Sequence, residues 1–540
     1  MRSFYNCYKI AILYWNTIKY LKISQLYFRI YNKVKIKRII LVKDLNLSKV
    51  YGNWIIPPFK KNRFISNATF KFGELEKNIL NPSDWQDKKM PMLWLYNLHY
   101  FDYLVSTDQK ENSSWNKEII LRWIKENKPG RGVGWEPYPT SLRIVNWIKW
   151  SFNGEVLNRE ILDSLSTQVM FLSRNIEYHL LGNHLFSNAK ALVFAGLFFK
   201  GLEAKKWYIL GEKIINKQLS EQVLKDGANF ELSPMYHSIF LEDILDIINI
   251  HHLYQQSYSK NIDFIVPKMI KWYLAMSHPD GNLSFFNDSV LDVALTSKEI
   301  VKYSKKLGFS NININSGLID FKESGFSRVE NQEMVLLADM GNIGPDYLPG
   351  HAHADTLSFE LSLFGERFIV NSGISEYGKS RRRLYQRGTY NHSTITIDRK
   401  NSSQVWSGFR VGNRSKILNK NIAQIDNLTS LAACHDGYST LEGNPIHCRV
   451  WKVYESSIKI IDEVKGFKNH ILDLVFPLFP GIKIIKQQKN ILILKVKNRD
   501  VKMEILGNGN IKIKKSYFHP KFGSCIKNYK LVYRNEGELP

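Results

Sequence analysis

The spacing of hydrophobic positions changes along the chain and predicts two structural regions. From about residue 97 to 306, apolar residues recur three or four positions apart, which is the period of a helix that buries one face. The predicted helices cover residues 115–127, 141–152, 158–180, 188–200, 204–224, 238–258 and 266–277. Short connectors favour antiparallel helix pairs stacked into a ring or a solenoid.

From about residue 325 onward, apolar and polar positions alternate instead, which is the period of a half-buried strand. The predicted strands cover residues 334–338, 357–363, 367–370, 394–397, 450–454, 458–461, 471–476, 491–496 and 501–505. Many short strands of this kind favour a sandwich. The chain is therefore predicted to be α+β, with a helical region followed by an antiparallel β region.

The N-terminal segment is basic and partly apolar. Residues 12–31 mix Leu, Ile, Tyr and Trp with Lys19, Lys22 and Arg29, which predicts one basic amphipathic helix. Such a helix either packs on its own domain or makes peripheral contact with a membrane. There is no convincing secretory signal, so a cytoplasmic or inner-membrane-associated location is expected, with a periplasmic one as the alternative.

Charge and cysteine content narrow the choice of partners. An excess of 75 Lys and Arg over 50 Asp and Glu gives a net charge of +25, which favours a polyanionic partner or reflects a Lys-, Asn- and Ile-rich genome. No nucleic-acid-reading motif or clustered basic run is present, so nucleic acid is not expected as a partner. Four scattered cysteines imply neither a disulfide framework nor a CxxC zinc site, and the oligomeric state stays open.

The most informative motif is Gly-His-Ala-His-Ala-Asp at residues 350–355. Histidines two positions apart at the mouth of a strand point to the same side, so both imidazoles can reach one metal or one substrate. Asp355 and the later His392 add further polar groups. The alternative is that either histidine only caps a turn.

The helical region carries its own polar clusters. Asn183 and His184 follow Gly182 at a helix junction, where they suit a substrate cleft or, for Asn183, a helix N-cap. Glu231, Tyr236 and His237 surround a proline that ends local structure. Aromatic and polar residues in earlier loops could stack on sugar rings or pack between helices; they are Trp135, Tyr138 and Arg143.

Taken in order, these motifs resemble the heparinase II/III family of polysaccharide lyases. The resemblance rests on residues 96–103, 135–143, 182–189, 226–237, 344–361, 387–398 and 409–411. It implies an (α/α) toroid at residues 61–318 and a β-sandwich at 319–540, and it leaves the basic helical segment at 1–60 as a separate unit. It also implies cleavage of an acidic, uronate-containing polysaccharide by β-elimination, a reaction that requires no cofactor.

The resemblance assigns roles to individual residues. Asn183 would neutralise the uronate carboxylate, Tyr236 would act as acid and base, and His351 would line the cleft as the third catalytic group. The substrate-binding set would be His184, Glu231, His237, Arg387, Trp135, Tyr138 and Arg143. For Arg387, an ion pair with Asp355 or Asp398 is the alternative.

The family's metal site maps to His353, Asn371 and His392. Asn371 stands where an aspartate is common, and the loss of that charge argues against a zinc or calcium ion. The lack of a convincing secretory signal favours an alternative hypothesis, a non-lyase or glycan-binding protein of bacterial capsule or O-antigen assembly.

Overall fold

The computed structural model describes residues 2–35 and 38–540, with the backbone alone for residues 2–7. The chain begins with two helices and a small antiparallel sheet. These elements are α1 Arg2–Ile18, α2 Ile23–Val34, β1 Phe64–Ser66, β2 Thr69–Phe72 and β3 Leu75–Asn78. The prediction of one helix over residues 12–31 is wrong. Helix α1 ends at Ile18, and a new helix, α2, begins after Lys22. The backbone N–H of Lys22 donates to Gln25 Oε1 (3.0 Å), which caps the N-terminus of α2.

The helical region that follows consists of nine helices within the described chain. They are α3 Met92–Tyr100, α4 Ser113–Glu126, α5 Pro137–Phe152, α6 Arg159–Ser173, α7 Gly182–Phe198, α8 Leu202–Gln222, α9 Pro234–Tyr254, α10 Asn261–Ala275 and α11 Ser297–Lys306. Short 3-10 turns lie at Pro82–Gln86, Asp102–Val105 and Val133–Trp135. The predicted helix over 158–180 ends early, because Asn175 Nδ2 donates to the Phe171 carbonyl (2.7 Å) and the chain turns.

Helices α5, α7 and α9 lie side by side and run in the same direction. Near their N-terminal ends Tyr138 packs against His184, and about two turns further along Lys190 forms an ion pair with Asp243 (2.6 Å). Buried aromatic and aliphatic side chains fill the space between the helices, including Trp123, Trp147 and Trp150. The N-termini of these three helices therefore meet at one end of the toroid.

The C-terminal region is built from antiparallel sheets, and its strands are β4 Gly317–Asp320, β5 Phe326–Glu330, β6 Met334–Asp339, β7 Phe359–Leu363, β8 Glu366–Ile369, β9 Ile395–Ile397, β10 Val405–Trp406, β11 Arg410–Val411, β12 Ile417–Ile425, β13 Leu428–His435, β14 Ile446–Val453, β15 Ile458–Lys465, β16 Asn469–Pro477, β17 Lys483–Gln488, β18 Ile491–Val496, β19 Arg499–Glu504, β20 Asn510–Phe518 and β21 Ile526–Glu538. Helix α12 Arg381–Arg387 and a 3-10 turn at Thr389–Asn391 interrupt them. The predicted α+β architecture of a helical toroid followed by an antiparallel β-sandwich is confirmed.

Each C-terminal sheet is described by the order in which its hydrogen-bonded strands lie side by side. The orders are β4-β5-β6-β7-β8, β12-β13-β14-β15, β20-β21-β16-β9, β17-β18-β19 and β10-β11. A disulfide joins Cys434 to Cys448 across the β13–β14 pair, a bond that the sparse cysteine pattern did not suggest. Among the described residues, no helix combines the length and apolar content needed to cross a bilayer.

Candidate active site between toroid and sandwich

The candidate cleft lies at the end of the toroid where α5, α7 and α9 begin. Gly182 starts α7 with a positive φ of 53°, and a Cβ there would lie 2.5 Å from Leu348 and 2.9 Å from Glu231. Only glycine permits this close approach. The Asn183 backbone N–H consequently reaches the Glu231 carboxylate. Asn183 is the second residue of α7 rather than its N-cap, which is Leu181.

Asn183 and His184 face the cleft from the first turn of α7. Both are half-buried, and the Asn183 side-chain amide makes no hydrogen bond with any described residue. The Tyr138 ring packs against His184 with 4.3 Å between ring centroids and 32° between the ring planes. Burial lowers the pKa of His184, but the Glu177 carboxylate 3.2 Å away, together with Glu231 and Glu136, raises it overall. This wall therefore offers an amide, an imidazole and an aromatic face.

Tyr236, in the first turn of α9, forms the centre of the site. Its ring stacks on His351 at 3.8 Å between centroids, and its hydroxyl is 2.8 Å from the Tyr377 hydroxyl. Burial first, and the Tyr377 hydroxyl second, raise the pKa of Tyr236 well above its ordinary value. The Tyr236 phenol is therefore a neutral proton donor near neutral pH.

Asp288, in the loop after α10, connects two histidines. His351 Nδ1 and His353 Nε2 each donate to one of its carboxylate oxygens, both at 2.9 Å. Arg383 Nη2 donates to the same carboxylate at 2.6 Å, and Arg383 Nη1 donates to its other oxygen. Burial alone would raise the pKa of Asp288, but Arg383 and the histidines hold it well below its usual range. An ionised carboxylate only accepts, so both histidine nitrogens facing it carry hydrogen.

Glu231 completes the cleft side of this network. One of its carboxylate oxygens lies 3.5 Å from His351 Nε2, and that oxygen is buried with no hydrogen-bond partner within the described chain. Burial is the main cause that raises the pKa of Glu231. His351 thus lies between the Asp288 carboxylate, which is hydrogen-bonded to Nδ1, and the Glu231 carboxylate, which is 3.5 Å from Nε2.

A second cluster lies behind His351 and away from solvent. His353, Asp355 and His392 offer ligand atoms that all lie within 4.8 Å of one another, and all three are buried. His353 Nδ1 and His392 Nε2 are 3.0 Å apart. Burial lowers the pKa of each imidazole to about 4, so both rings are neutral near neutral pH.

The hydrogen-bond partners fix the tautomers of these two rings. His353 Nε2–H donates a hydrogen bond to Asp288, and His392 Nδ1–H donates one to the Gly388 carbonyl (2.9 Å). The two nitrogens that face each other therefore both present lone pairs, an unfavourable arrangement that a bound cation would relieve. Imidazoles oriented by a carboxylate and a carbonyl behind them are a common arrangement around a protein-bound metal.

Asn371 lies beside this cluster. Its Oδ1 accepts weakly from the Ser393 N–H (3.4 Å), and its buried Nδ2 has no partner among the described residues. Asp355 supplies the carboxylate that Asn371 lacks. The donor set of two imidazoles and one carboxylate suits zinc better than calcium, which prefers oxygen ligands.

Four predicted substrate-binding residues lie in the packed interior instead of the cleft. Arg387 donates to the Ala352 carbonyl from Nε and Nη2 (3.0 and 2.8 Å), and pairs with neither Asp355 nor Asp398. Arg143 donates to the Gly134 carbonyl and to Gln168. Trp135 Nε1 donates to the Asn127 carbonyl (3.2 Å), and His237 is bonded to Met269 and Asn229. Their polar atoms already form hydrogen bonds within the protein, so the structure does not support a contact between these four residues and a substrate.

Three residues central to the site escaped sequence reasoning: Asp288, Tyr377 and Arg383. Asp288 is one aspartate in a polar loop, and Arg383 is the third of three arginines that read as surface charge. Tyr377 follows Glu376 in an irregular segment. No spacing signal marks any of them. The two motif histidines also lie in a loop before β7, where Leu357 has a φ of 61°, and not at alternating strand positions.

The fold and this cleft define a class, a helical toroid joined to a β-sandwich with a tyrosine–histidine centre between them. The profile described as Heparinase II/III N-terminus matches residues 32–309, and Heparinase II/III-like, C-terminal matches residues 313–536. The chain belongs to the heparinase II/III family. The resemblance seen in the sequence motifs is thereby confirmed.

Individual relatives are more distant. A heparin-sulfate lyase of Bacteroides stercoris is 25% identical over 516 residues, which cover 83% of this chain and 73% of that protein. A heparin-sulfate lyase of Pedobacter heparinus is 25% identical over 354 residues, which cover 57% of this chain and 51% of that protein. A crystal structure of heparinase III superposes with a TM-score of 0.68 at 18% identity, covering 86% of this chain and 76% of that one. At that identity the structural likeness establishes the fold alone.

Proposed function

We propose that this protein is a polysaccharide lyase that cleaves an acidic, uronate-containing glycan by β-elimination. The observation that carries the proposal is the Tyr236 phenol, stacked on His351 at the foot of the cleft with Tyr377 at hydrogen-bond distance. The relatives named heparin-sulfate lyases support the same reaction class and a glycosaminoglycan as substrate.

The site residues divide the reaction among them. The free Asn183 amide would bind the C6 carboxylate and stabilise the negative charge that develops there when the C5 proton leaves. His351, whose Nδ1–H is fixed on Asp288, would accept that proton at Nε2. The neutral Tyr236 phenol would donate its proton to O4 as the C4–O4 bond breaks. The products are a C4=C5 unsaturated sugar and a new hydroxyl on the other fragment.

The toroid itself supports an acidic substrate. The first turns of α5, α7 and α9 meet at the cleft, and each helix N-terminus carries a partial positive charge. Tyr138 and His184 would give a sugar ring an aromatic face beside these termini. Anionic groups of a polysaccharide are therefore favoured along this wall.

The buried His353, Asp355 and His392 cluster would hold a zinc ion, with Asn371 beside it. A bound ion would relieve the facing lone pairs and fix the loop that carries His351. The reaction steps need no metal, because His351, Tyr236 and Asn183 move or bind every group involved. Metal analysis of purified protein, compared with a His392→Gln variant, tests this point: equal zinc content in both would contradict it.

The central experiment follows the ultraviolet absorbance of the C4=C5 double bond. Purified protein is incubated with heparan sulfate, other uronate polysaccharides and the producing cell's own glycan. We expect an absorbance rise with at least one substrate and its loss in Tyr236→Phe, by about 10²–10⁴-fold. Tyr258→Phe, which alters a tyrosine in the loop after the C-terminal end of α9, is the matched control and should keep full activity.

An absent signal with every substrate would contradict the lyase proposal. Glycan binding that persists in Tyr236→Phe would then favour the alternative, a non-lyase or glycan-binding protein of surface-polysaccharide assembly. The two outcomes are separable because binding and absorbance are measured on the same substrates.

A further inference from the structure

The first two helices form a surface that the proposed lyase chemistry does not use. The family profile begins at residue 32, so α1 and nearly all of α2 lie outside the matched unit. One face of each helix nevertheless packs on the rest of the protein. From α1, Thr17 accepts from Trp406 Nε1 (3.0 Å); from α2, Phe28 packs on Tyr178 at 4.8 Å.

The opposite faces carry large apolar side chains in helical register. On α2, Ile23, Ile30 and Val34 are 85%, 67% and 74% exposed, and Tyr27 lies on the same stripe. On α1, Tyr8 and Trp15 are 65% and 67% exposed at positions seven apart. Single exposed apolar residues are ordinary, but an exposed apolar stripe on each of two consecutive helices indicates a surface that a partner covers.

The segment that carries these stripes has charged side chains of one sign only. Residues 1–43 contain ten Lys and Arg and no Asp or Glu, the first acidic residue being Asp44. Arg29 is near enough to Arg410 for their repulsion, added to burial, to lower the pKa of Arg29. Neither Arg29 nor Lys33 has a carboxylate within ion-pair distance among the described residues. The helices thus combine apolar stripes, the rings of Tyr and Trp, and two cations, Arg29 and Lys33, that form no ion pair among the described residues.

From this combination we infer that α1 and α2 form a docking surface for an anionic lipid bilayer. Amphipathic helices with Lys and Arg beside Trp, Tyr and Ile lie in the interface plane, apolar face among the lipids and cations on the headgroups. The opposed charges of the surface and the bilayer select this occupant over a second copy of the chain, whose matching surface is equally basic.

The surface stands close to the cleft. Trp406 and Tyr347, which contact α1 and α2, lie within a few residues of Phe409 and His351, and Phe409 is 6.1 Å from His351 between ring centroids. A bilayer on α1 and α2 would therefore place the cleft near the membrane surface. Glycan attached to or emerging from that membrane would then be the nearest substrate.

The test is sedimentation of the full chain with vesicles of phosphatidylcholine alone and of phosphatidylcholine mixed with phosphatidylglycerol. We expect binding to the anionic vesicles only, weakened by salt. Ile23→Glu with Ile30→Glu should abolish it. Arg29→Glu with Lys33→Glu should weaken it by more than about twentyfold, since each basic residue near such a surface contributes roughly fivefold.

Matched controls alter equally exposed residues elsewhere. Phe264→Glu on α10 replaces an apolar side chain that is 72% exposed, and Lys305→Glu with Lys306→Glu on α11 makes the same charge change. Both should bind vesicles like the unaltered chain. All variants should melt at the same temperature and cleave soluble glycan equally. Because vesicle binding is measured without any glycan, a negative result in the lyase assay would not affect this test.

Two results would overturn the inference. One is no binding to anionic vesicles at low salt by the unaltered chain. The other is a lipid-free dimer, measured by light scattering, that Ile23→Glu with Ile30→Glu dissociates, because a second copy would then cover the surface.

Discussion

His351 and His353 are two residues apart and share one carboxylate, yet the structure gives them opposite surroundings. His351 is partly exposed, stacks on Tyr236 and keeps Nε2 towards the cleft. His353 is 1% exposed and turns its free nitrogen towards His392. One loop therefore supplies a group suited to move a proton and another suited to hold a cation.

The difference between the two histidines arises from the side chains that surround each ring. Asp288 binds both rings through separate oxygens, which fixes the tautomer of each. The remaining nitrogen of each ring then faces whatever the surrounding fold provides. The HxH spacing alone cannot distinguish these roles, and substitutions on either side of Asp288 should separate them.

The largest effect is expected for Asp288→Asn, which alters both sides together. His351 would lose the acceptor that fixes its tautomer, and the fully buried Arg383 would lose its counter-charge. A comparable substitution in a serine protease triad lowers kcat about 10⁴-fold. We expect a loss of that order in lyase turnover, and a free energy of unfolding lower by about 3–5 kcal/mol. Steady-state kinetics and chemical denaturation measure the two effects.

The control is Asp280→Asn, which also removes a carboxylate from a buried arginine, Arg367, but away from the cleft. It should cost stability and leave turnover intact. An Asp288→Asn protein with normal kcat would show that His351 does not depend on this carboxylate.

A pair of variants should separate the two histidine environments. His351→Gln should reduce turnover by about 10²–10⁴-fold and leave the melting temperature nearly unchanged, because the side chain is partly exposed. His392→Gln should reduce zinc content and melting temperature, with a smaller effect on turnover, because its ring contacts His353 and not the cleft. Loss of zinc in His351→Gln but not in His392→Gln would reverse the assignment.

The sequence predicts the parts of this arrangement that depend on local pattern. The helical periodicity located α4, α5 and α8 to within a few residues, because each buries one face along its length. It placed the start of α7 at residue 188 instead of Gly182, because Gly182 and Asn183 look like a junction when their partners are unseen. Strands β20 and β21 were missed because lysines interrupt their alternation.

The candidate site divides in the same way. Asn183, Tyr236, His351, His353 and His392 were predicted through the family motifs, and their roles stay predictions. Asp288 could not be found, since its partners lie 63, 65 and 95 positions away along the chain. Arg387 and Arg143 look like carbohydrate ligands in sequence, but each is buried against backbone carbonyls that only the fold brings together.

The buried pair also predicts a pH dependence of stability. The pKa values of His353 and His392 are about 4 in the folded chain, below the value of about 6.5 in an unfolded one. The unfolded state therefore binds protons first, and the stability present above about pH 6.5 is lost as pH falls towards 4. For metal-free protein we expect the pair together to contribute about 3 kcal/mol to this loss, because the two rings are in contact and their protonation is coupled. Chemical denaturation across that range, compared with His392→Gln, measures it; identical slopes for both proteins would contradict the assignment.

The smallest effect is expected on the cleft side, for Tyr377→Phe. The variant keeps the ring that packs on Phe409 and Phe522 and removes only the hydroxyl 2.8 Å from Tyr236. If that hydroxyl positions the Tyr236 proton for O4, kcat should fall about tenfold with KM unchanged, equivalent to about 1.4 kcal/mol of transition-state stabilisation. A change in KM alone would instead make Tyr377 a substrate-binding group. Tyr385→Phe, which removes a hydroxyl bound by Lys530 on the sandwich, is the matched control and should leave both constants unchanged.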